Sequence, residues 1–341
     1  MTLKPLARLL AAVTFSSAGL CTSALAQNVA GPFTGLYVFG DSLSDSGNNF
    51  ITLFGQTGPN PTSNTFVPSL PYAPSHTYSN GPTWVTSFAS GLGLPSYAAP
   101  SRAGGGNYAY GGARMTVDGA GVPPFVPAPF PASVNTQLNT YLGTGPASAS
   151  ALYVIAGGGN DVREVGAAVA GGANLVSTTL AAATAYATSA AQMVGSLRAA
   201  GATNIVVWNV PDVGKTPASG GGVGPSAAAG SFIAGTFNSF LSTALVGSGA
   251  VIFDVFGLIG AVIANPAGYG FGNVTQACGF AGNACDASTA LFWDGIHPTA
   301  FAQSVVANAM LSVVAVPEPA SVLLMGAGVL VLVAVRRRRQ A

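Results

Sequence analysis

Short β-branched and aromatic runs, separated by helix-length stretches, constrain this chain more than any other feature. Leu152-Tyr153-Val154-Ile155-Ala156, Asn204 to Trp208 and Ala250 to Val255 read as buried strands. Between them lie an alanine-rich helix from Asn174 to Ala200, stopped by Gly201, and a second helix from about Ser226 to Leu245. A last helix starts after Pro298 and carries Phe301, Val305, Val306, Ala309 and Met310 on one face. Strands that alternate with helices in this way imply a parallel sheet covered on both sides. One α/β domain is expected, and the absence of a repeat period argues against a solenoid.

An earlier run, Leu36-Tyr37-Val38-Phe39, reads as another strand and leads into Gly40-Asp41-Ser42-Leu43-Ser44-Asp45-Ser46-Gly47-Asn48-Asn49. Small polar residues and a glycine there suit a tight turn into a helix. Ser42 would then stand at the carboxyl end of a strand, where open α/β sheets expose their chemistry. The chain has two histidines. His297 lies in Trp293-Asp294-Gly295-Ile296-His297-Pro298, and a carboxylate three residues ahead of an imidazole can fix its tautomer across a turn. His76 has no carboxylate near it in sequence and reads as a loop residue. Asp41, Asp45 and Asp161 suit turn and capping hydrogen bonds, and Asp212 a turn.

These stretches also carry a resemblance. Gly40-Asp41-Ser42-Leu43, then Asn107-x-Ala109-x-Gly111-Gly112, then Gly158-Gly159-Asn160-Asp161, then Asp294-x-x-His297-Pro298 follow the order of the four blocks of the GDSL (SGNH) hydrolases. Val206-Val207-Trp208-Asn209-Val210-Pro211-Asp212 and Phe237-Asn238 are similar to the passenger domains of bacterial secreted lipolytic esterases, so that the likeness covers nearly all of Leu36 to Leu311. It implies an SGNH-hydrolase-like, flavodoxin-like three-layer sandwich around a central parallel sheet. It also implies a Ser42, His297 and Asp294 triad cleaving carboxylic esters of lipid or short acyl chains through an acyl-enzyme. The oxyanion donors would be the N–H of Ser42, that of Gly111 or Gly112, and the amide of Asn160. No cofactor or metal is expected. A carbohydrate O-acetylesterase acting on extracellular polysaccharide, or a non-catalytic surface or matrix protein with a hydrolase fold, remain alternatives.

Only 6% of the residues are charged, against a usual share of about 25%, so where the charges fall matters. Between Gln27 and Val316 stand nine acidic and five basic residues, about −4, which leaves no basic patch for nucleic acid. The remaining cations sit at the ends. Residues 1–26 read as a secretory signal peptide, with Lys4 and Arg8 ahead of an apolar stretch from Leu9 to Leu20 and an Ala24-Leu25-Ala26 cleavage site. Cys21 would leave with it. Residues 27–316 form the expected hydrolase domain. In residues 317–341, Pro317-Glu318-Pro319, an apolar run from Ala320 to Val335 and four arginines at 336–339 read as a membrane anchor. This segment resembles a PEP-CTERM sorting tail, which implies an exosortase-type peptidase as partner, a membrane contact before processing, and export to the cell envelope, surface or matrix. The autotransported relatives carry a β-barrel translocator instead, for which the sequence after Val316 is too short.

Three local expectations complete the picture. Cys278 and Cys285, close together in an exported chain, suit a disulfide clamping a surface loop. The polar stretch from Gly55 to Asn80 reads as a long loop of the kind that lines binding sites. Beyond it Pro82 suits a helix's first turn, with Trp84, Val85, Phe88 and Leu92 on the apolar face. The stretch from Ala99 to Pro131 is irregular, its proline-rich half from Val122 to Pro131 expected to be extended and exposed.

Overall fold

In the computed structural model, which describes residues 32–314 apart from 62–65, 123, 125 and 284, the apolar runs become strands of one parallel sheet. Its members are β1 (Leu36–Gly40), β2 (Leu152–Ala156), β3 (Asn204–Trp208) and β4 (Val251–Phe253), in the order β1-β2-β3-β4. Leu36 lies opposite Leu152 and Gly40 opposite Ala156. Period-two alternation sends Phe39, Tyr153, Ile155, Ile205 and Val207 into one core and Leu36, Val38, Leu152, Val154, Val206 and Trp208 into another. The first core is covered by α3 (Val134–Leu142), α4 (Gly159–Ala170), α5 (Leu175–Ala199) and α6 (Gly224–Ala244). The second is covered by α2 (Trp84–Gly91), α7 (Val255–Ala264) and α8 (Ala300–Val313). The three-layer α/β sandwich expected from sequence is therefore the fold.

The free edge of β1 is occupied by a short stretch of the irregular region. Val38 N–H donates to Gly106 O at 3.0 Å, and Tyr108 N–H donates to Val38 O at 2.8 Å, a parallel bridge. Counting that stretch as a strand, chain order across the sheet becomes 2-1-3-4-5, the flavodoxin-like order. The chain thus leaves β1 to one side and later returns on the other. Such a reversal opens a crevice at the carboxyl end of β1, where Ser42 follows. The short helix α1 (Asn48–Thr52) closes that turn.

Several elements differ from expectation for local reasons. Pro82 lies outside its helix, because Thr83 is the N-cap. The fourth strand stops at Phe253, two residues short of the expected Val255, because Asp254 caps α7, its Oδ1 accepting Gly257 N–H at 2.8 Å. The proline-rich stretch is exposed at Pro127, Ala128 and Pro129, but Val126 and Phe130 are buried against Leu53, Leu70 and Tyr110. A second small sheet pairs β5 (Asn273–Ala277) with β6 (Ala290–Phe292), and it delivers the chain to Asp294. No helix among the described residues is long and apolar enough to cross a membrane. The expected leader at 1–26 and apolar run at 320–335 lie outside the described residues.

Gly106 has room for no side chain, since a Cβ there would run into the Leu36 carbonyl oxygen and the Tyr97 ring. Gly106→Ala is expected to cost about 3 kcal/mol, read as a lower urea midpoint in chemical unfolding.

Candidate active site

The turn after β1 is built almost wholly from its own polar side chains. Asp41 Oδ1 accepts Leu43 N–H at 3.0 Å, and Asp41 O accepts the N–H groups of Ser44 and Asp45. Asp45, buried, accepts four backbone N–H groups: Gly47 at 2.8 Å, Asn48 at 2.7 Å, Asn49 at 3.2 Å and Gly111 at 2.9 Å. Asn48 Nδ2 donates to Asn107 O and Ala109 O, and Asn107 Nδ2 returns a bond to Ser44 O at 2.6 Å. The serine turn and the Asn107–Gly111 stretch are thereby one rigid unit. Gln137 of α3 steadies the end of β1, exchanging both amide bonds with Gly40.

His297 reaches this turn from the opposite end of the chain. Its Nε2 lies 2.8 Å from Ser42 Oγ, and its Nδ1 lies 2.7 Å from Asp294 Oδ2. Asp294 is fully buried, and its Oδ1 accepts the N–H groups of Ile296 and His297 at 2.8 and 2.7 Å. The loop carrying Asp294 is pinned on two sides, with Gly295 N–H donating to Phe66 O and Ala218 N–H donating to Gly295 O. A third prop is the loop bridged by the Cys278–Cys285 disulfide, Cα atoms 5.5 Å apart, whose Cys278 and Gly279 N–H groups donate to Phe292 O and Trp293 O. Sequence reasoning missed one partner. Tyr72 OH donates to Asp294 Oδ2 at 2.9 Å from within the long loop, and both burial and that carboxylate push the phenol's pKa upward. Its only sequence signal was an aromatic residue in a stretch otherwise dominated by Pro, Ser and Thr.

Three groups surround Ser42 as donors. Its own N–H has no acceptor among the described residues. Of the two candidate glycines, Gly111 has its N–H taken by Asp45, and a Cβ there would enter the Tyr78 ring. Gly112, at φ +82°, has an N–H with no acceptor among the described residues. Asn160, in the first turn of α4, gives one amide hydrogen to Ala113 O at 2.9 Å and keeps the other. Ser42, Gly111, Gly112, Asn160 and His297 line one small pocket with Ser69 and Tyr78. His76 stays apart, exposed and stacked on Phe50 at 3.7 Å. Asp212 is a turn residue as expected, accepting from Gly214 N–H and Ser231 Oγ.

A second, largely apolar cleft opens beside Ser42, His297 and Asn160. Trp208, Val255, Leu258, Ile259, Val262 and Phe271 line one side, and Leu291, Phe292, Val305 and Val306 the other. It runs along α7 and α8. No cluster of metal-ligating side chains occurs among the described residues.

Burial raises three carboxyls close to the site. Asp41 and Asp45 are pushed up to about 6, opposed by the backbone N–H groups they accept. Asp161, which accepts Met115 N–H, is pushed up to about 7 by burial and by Asp41 and Glu164.

The switch point of the parallel sheet thus brings a serine, an imidazole and a carboxylate together in one crevice. Residues 36–310 match the family model of GDSL-like lipases and acylhydrolases, and the chain belongs to that family. Residues 315–339 match the PEP-CTERM protein-sorting motif, which implies export to the cell envelope or surface. Esterase EstA of Pseudomonas aeruginosa is 30% identical over 93% of this chain and 51% of its own length. A GDSL esterase/lipase of Arabidopsis thaliana is 28% identical over 83% of this chain and 92% of its own. The crystal structure of an acetyl xylan esterase, AlAXEase, covers 82% of this chain and 99% of that one at a TM-score of 0.43 and 11% identity. This chain spans about half the length of EstA.

The raised Asp161 carboxyl has a sign that can be checked. Below pH 3.8 it is protonated folded and unfolded alike; between there and about 7 only the folded state holds the proton, so stability falls as pH rises. Asp161→Asn, which keeps an acceptor for Met115, is expected to flatten the decline between pH 4 and 7 by up to about 1.4 kcal/mol per pH unit, read by urea unfolding across pH.

Proposed function

We propose that this chain is an exported serine ester hydrolase whose nucleophile is Ser42, and that it cleaves carboxylic esters of acyl chains longer than acetyl. The observation that carries the reading is the line from Asp294 Oδ2 through His297 to Ser42 Oγ, 2.7 and 2.8 Å, opening onto an apolar cleft. His297 Nε2 takes the Ser42 proton as Oγ attacks the ester carbonyl, while Asp294 holds Nδ1–H and stabilises the imidazolium. The N–H groups of Ser42 and Gly112 and the second amide hydrogen of Asn160 meet the developing oxyanion. His297 then protonates the leaving alcohol, and water repeats the sequence on the acyl-enzyme.

The cleft favours a lipid-type acyl group over an acetyl group on polysaccharide, because most of its wall area is apolar. The expected leader at 1–26, domain at 27–316 and tail at 317–341 fit a protein carried across the inner membrane. Its sorting segment would be read by an exosortase-type peptidase.

On a p-nitrophenyl ester panel, kcat/KM is expected to rise from acetyl to medium chains and Ser42→Ala to lose at least about 10³-fold. Rates flat or falling beyond acetyl would favour the carbohydrate O-acetylesterase reading. No labelling of Ser42 by an organophosphonate would favour a non-catalytic protein. Tyr72→Phe, which removes one charge-assisted bond to Asp294, is expected to lower kcat about tenfold with KM nearly unchanged, measured on the best ester of the panel.

A further inference from the structure

Among the described residues, Arg163 is the one lysine or arginine that lines either cavity, and it lines both. It stands one turn along α4 from Asn160, where the apolar cleft meets the small polar pocket. Two other arginines have closer partners than Arg163 does. Arg114 Nη1 is 2.8 and 2.9 Å from the two Glu164 oxygens, and Arg198 donates to the carbonyls of Thr203 and Gly249. Arg163 makes no ion pair among the described residues, and its Nη1 has a single long contact, 3.4 Å to Asn160 Oδ1.

The acidic groups around it are engaged elsewhere. Asp294 accepts from Tyr72, Ile296 and His297; Asp41 from Leu43; Asp161 from Met115; Asp212 from Gly214 and Ser231; and Glu164 from Arg114. Arg163 is exposed to solvent, and Asp294 and Asp41 act on it through space in favour of its charged form. Its guanidinium is a planar fork of donors at the rim of both cavities, with most of its hydrogen-bonding capacity free of partners among the described residues. Such a fork matches the paired oxygens of a phosphate or carboxylate.

We infer that Arg163 forms an anion-reading subsite, and that the preferred substrates are acyl esters whose alcohol part carries a phosphate or carboxylate group near the scissile bond. This rests on the ester-hydrolase reading above. The acyl chain occupies the apolar cleft, and the anionic end lies on the Ser69 and Tyr78 side, against the guanidinium. Since residues 27–316 carry about −4 overall, a preference for anions has to arise from contact at this point and not from the long-range field. A rival role for Arg163 is to orient the Asn160 amide through Oδ1, which would affect charged and neutral substrates alike.

The test compares matched octanoyl esters on the full exported chain: monooctanoylglycerol against its phosphate monoester, and the methyl ester of octanoyl glycolate against the free carboxylate. The wild type is expected to favour the anionic member of at least one pair by about tenfold in kcat/KM. Arg163→Gln should bring that ratio near one, Arg163→Lys should keep part of it, and Arg163→Glu should invert it. Preference confined to the phosphate pair or to the carboxylate pair names the group that is read. A wild-type ratio of one overturns the inference. So does a ratio unchanged in Arg163→Gln, or an equal loss on both members of a pair in that variant. Ser42→Ala assayed on all four esters keeps the two readings apart: residual turnover there refutes the nucleophile and leaves the ratio result to be judged separately.

Discussion

One buried carboxylate organises the neighbourhood of Ser42. Asp45 gathers backbone N–H groups from its own turn and from Gly111, some sixty-six residues away in sequence. With Asn48 and Asn107 bonding across the same seam, two irregular stretches that could each adopt many shapes are held in a single one. The free N–H of Gly112 is a consequence of that arrangement: Asp45 takes the donor before it and leaves the next one facing the pocket. A polar cluster of this kind costs stability where it is incomplete and rigidifies where it is satisfied, and here every oxygen of Asp45 has its donor.

The sheet supplies the other half of the geometry. Because the chain departs from β1 toward the edge stretch at 106–108 and comes back on the far side as β2, the crevice above Gly40 is left uncovered by either connection. α4 and α8 begin at that same end, and their first turns bring Asn160 and, just before α8, His297. The cleft along α7 and α8 shares Trp208, Val255, Leu258, Ile259 and Val306 with the second core, so apolar surface that stabilises the sandwich also lines the cleft.

Much of this was readable in the residues. β2 and β3 fall where their apolar runs predict, α5 begins at its Asn174 cap, and the sandwich follows from strand and helix alternation. Ser42, Asn160, Asp294 and His297 were all named from short blocks, and the structure brings them together. What was not readable depends on pairing between distant segments. The edge stretch has no apolar run, because it meets β1 only through backbone bonds at Gly106, Tyr108 and Tyr110. α4 was hidden by the glycines that begin it, Gly158 at φ +116° being a turn residue until Asn160 and Asp161 enter the helix. β5 and β6 are short and partly polar, and α7 was concealed by Asp254, a residue as apt for a turn as for a cap. The choice between Gly111 and Gly112 needed the position of Asp45, and Tyr72 needed a contact across 222 residues.

The hydrogen bond from Tyr72 has a consequence for how such a protein can diverge. The long loop contributes Ser69 and Tyr78 to the pocket beside Ser42, and Tyr72 to the carboxylate that meets His297. Lengthening or trimming it would alter the pocket and the Tyr72–Asp294 bond in the same stroke. Descendants of this chain are thus freer to alter their substrates through α7 and α8, whose side chains face the cleft without touching Asp294, than through the loop that looks most permissive to change.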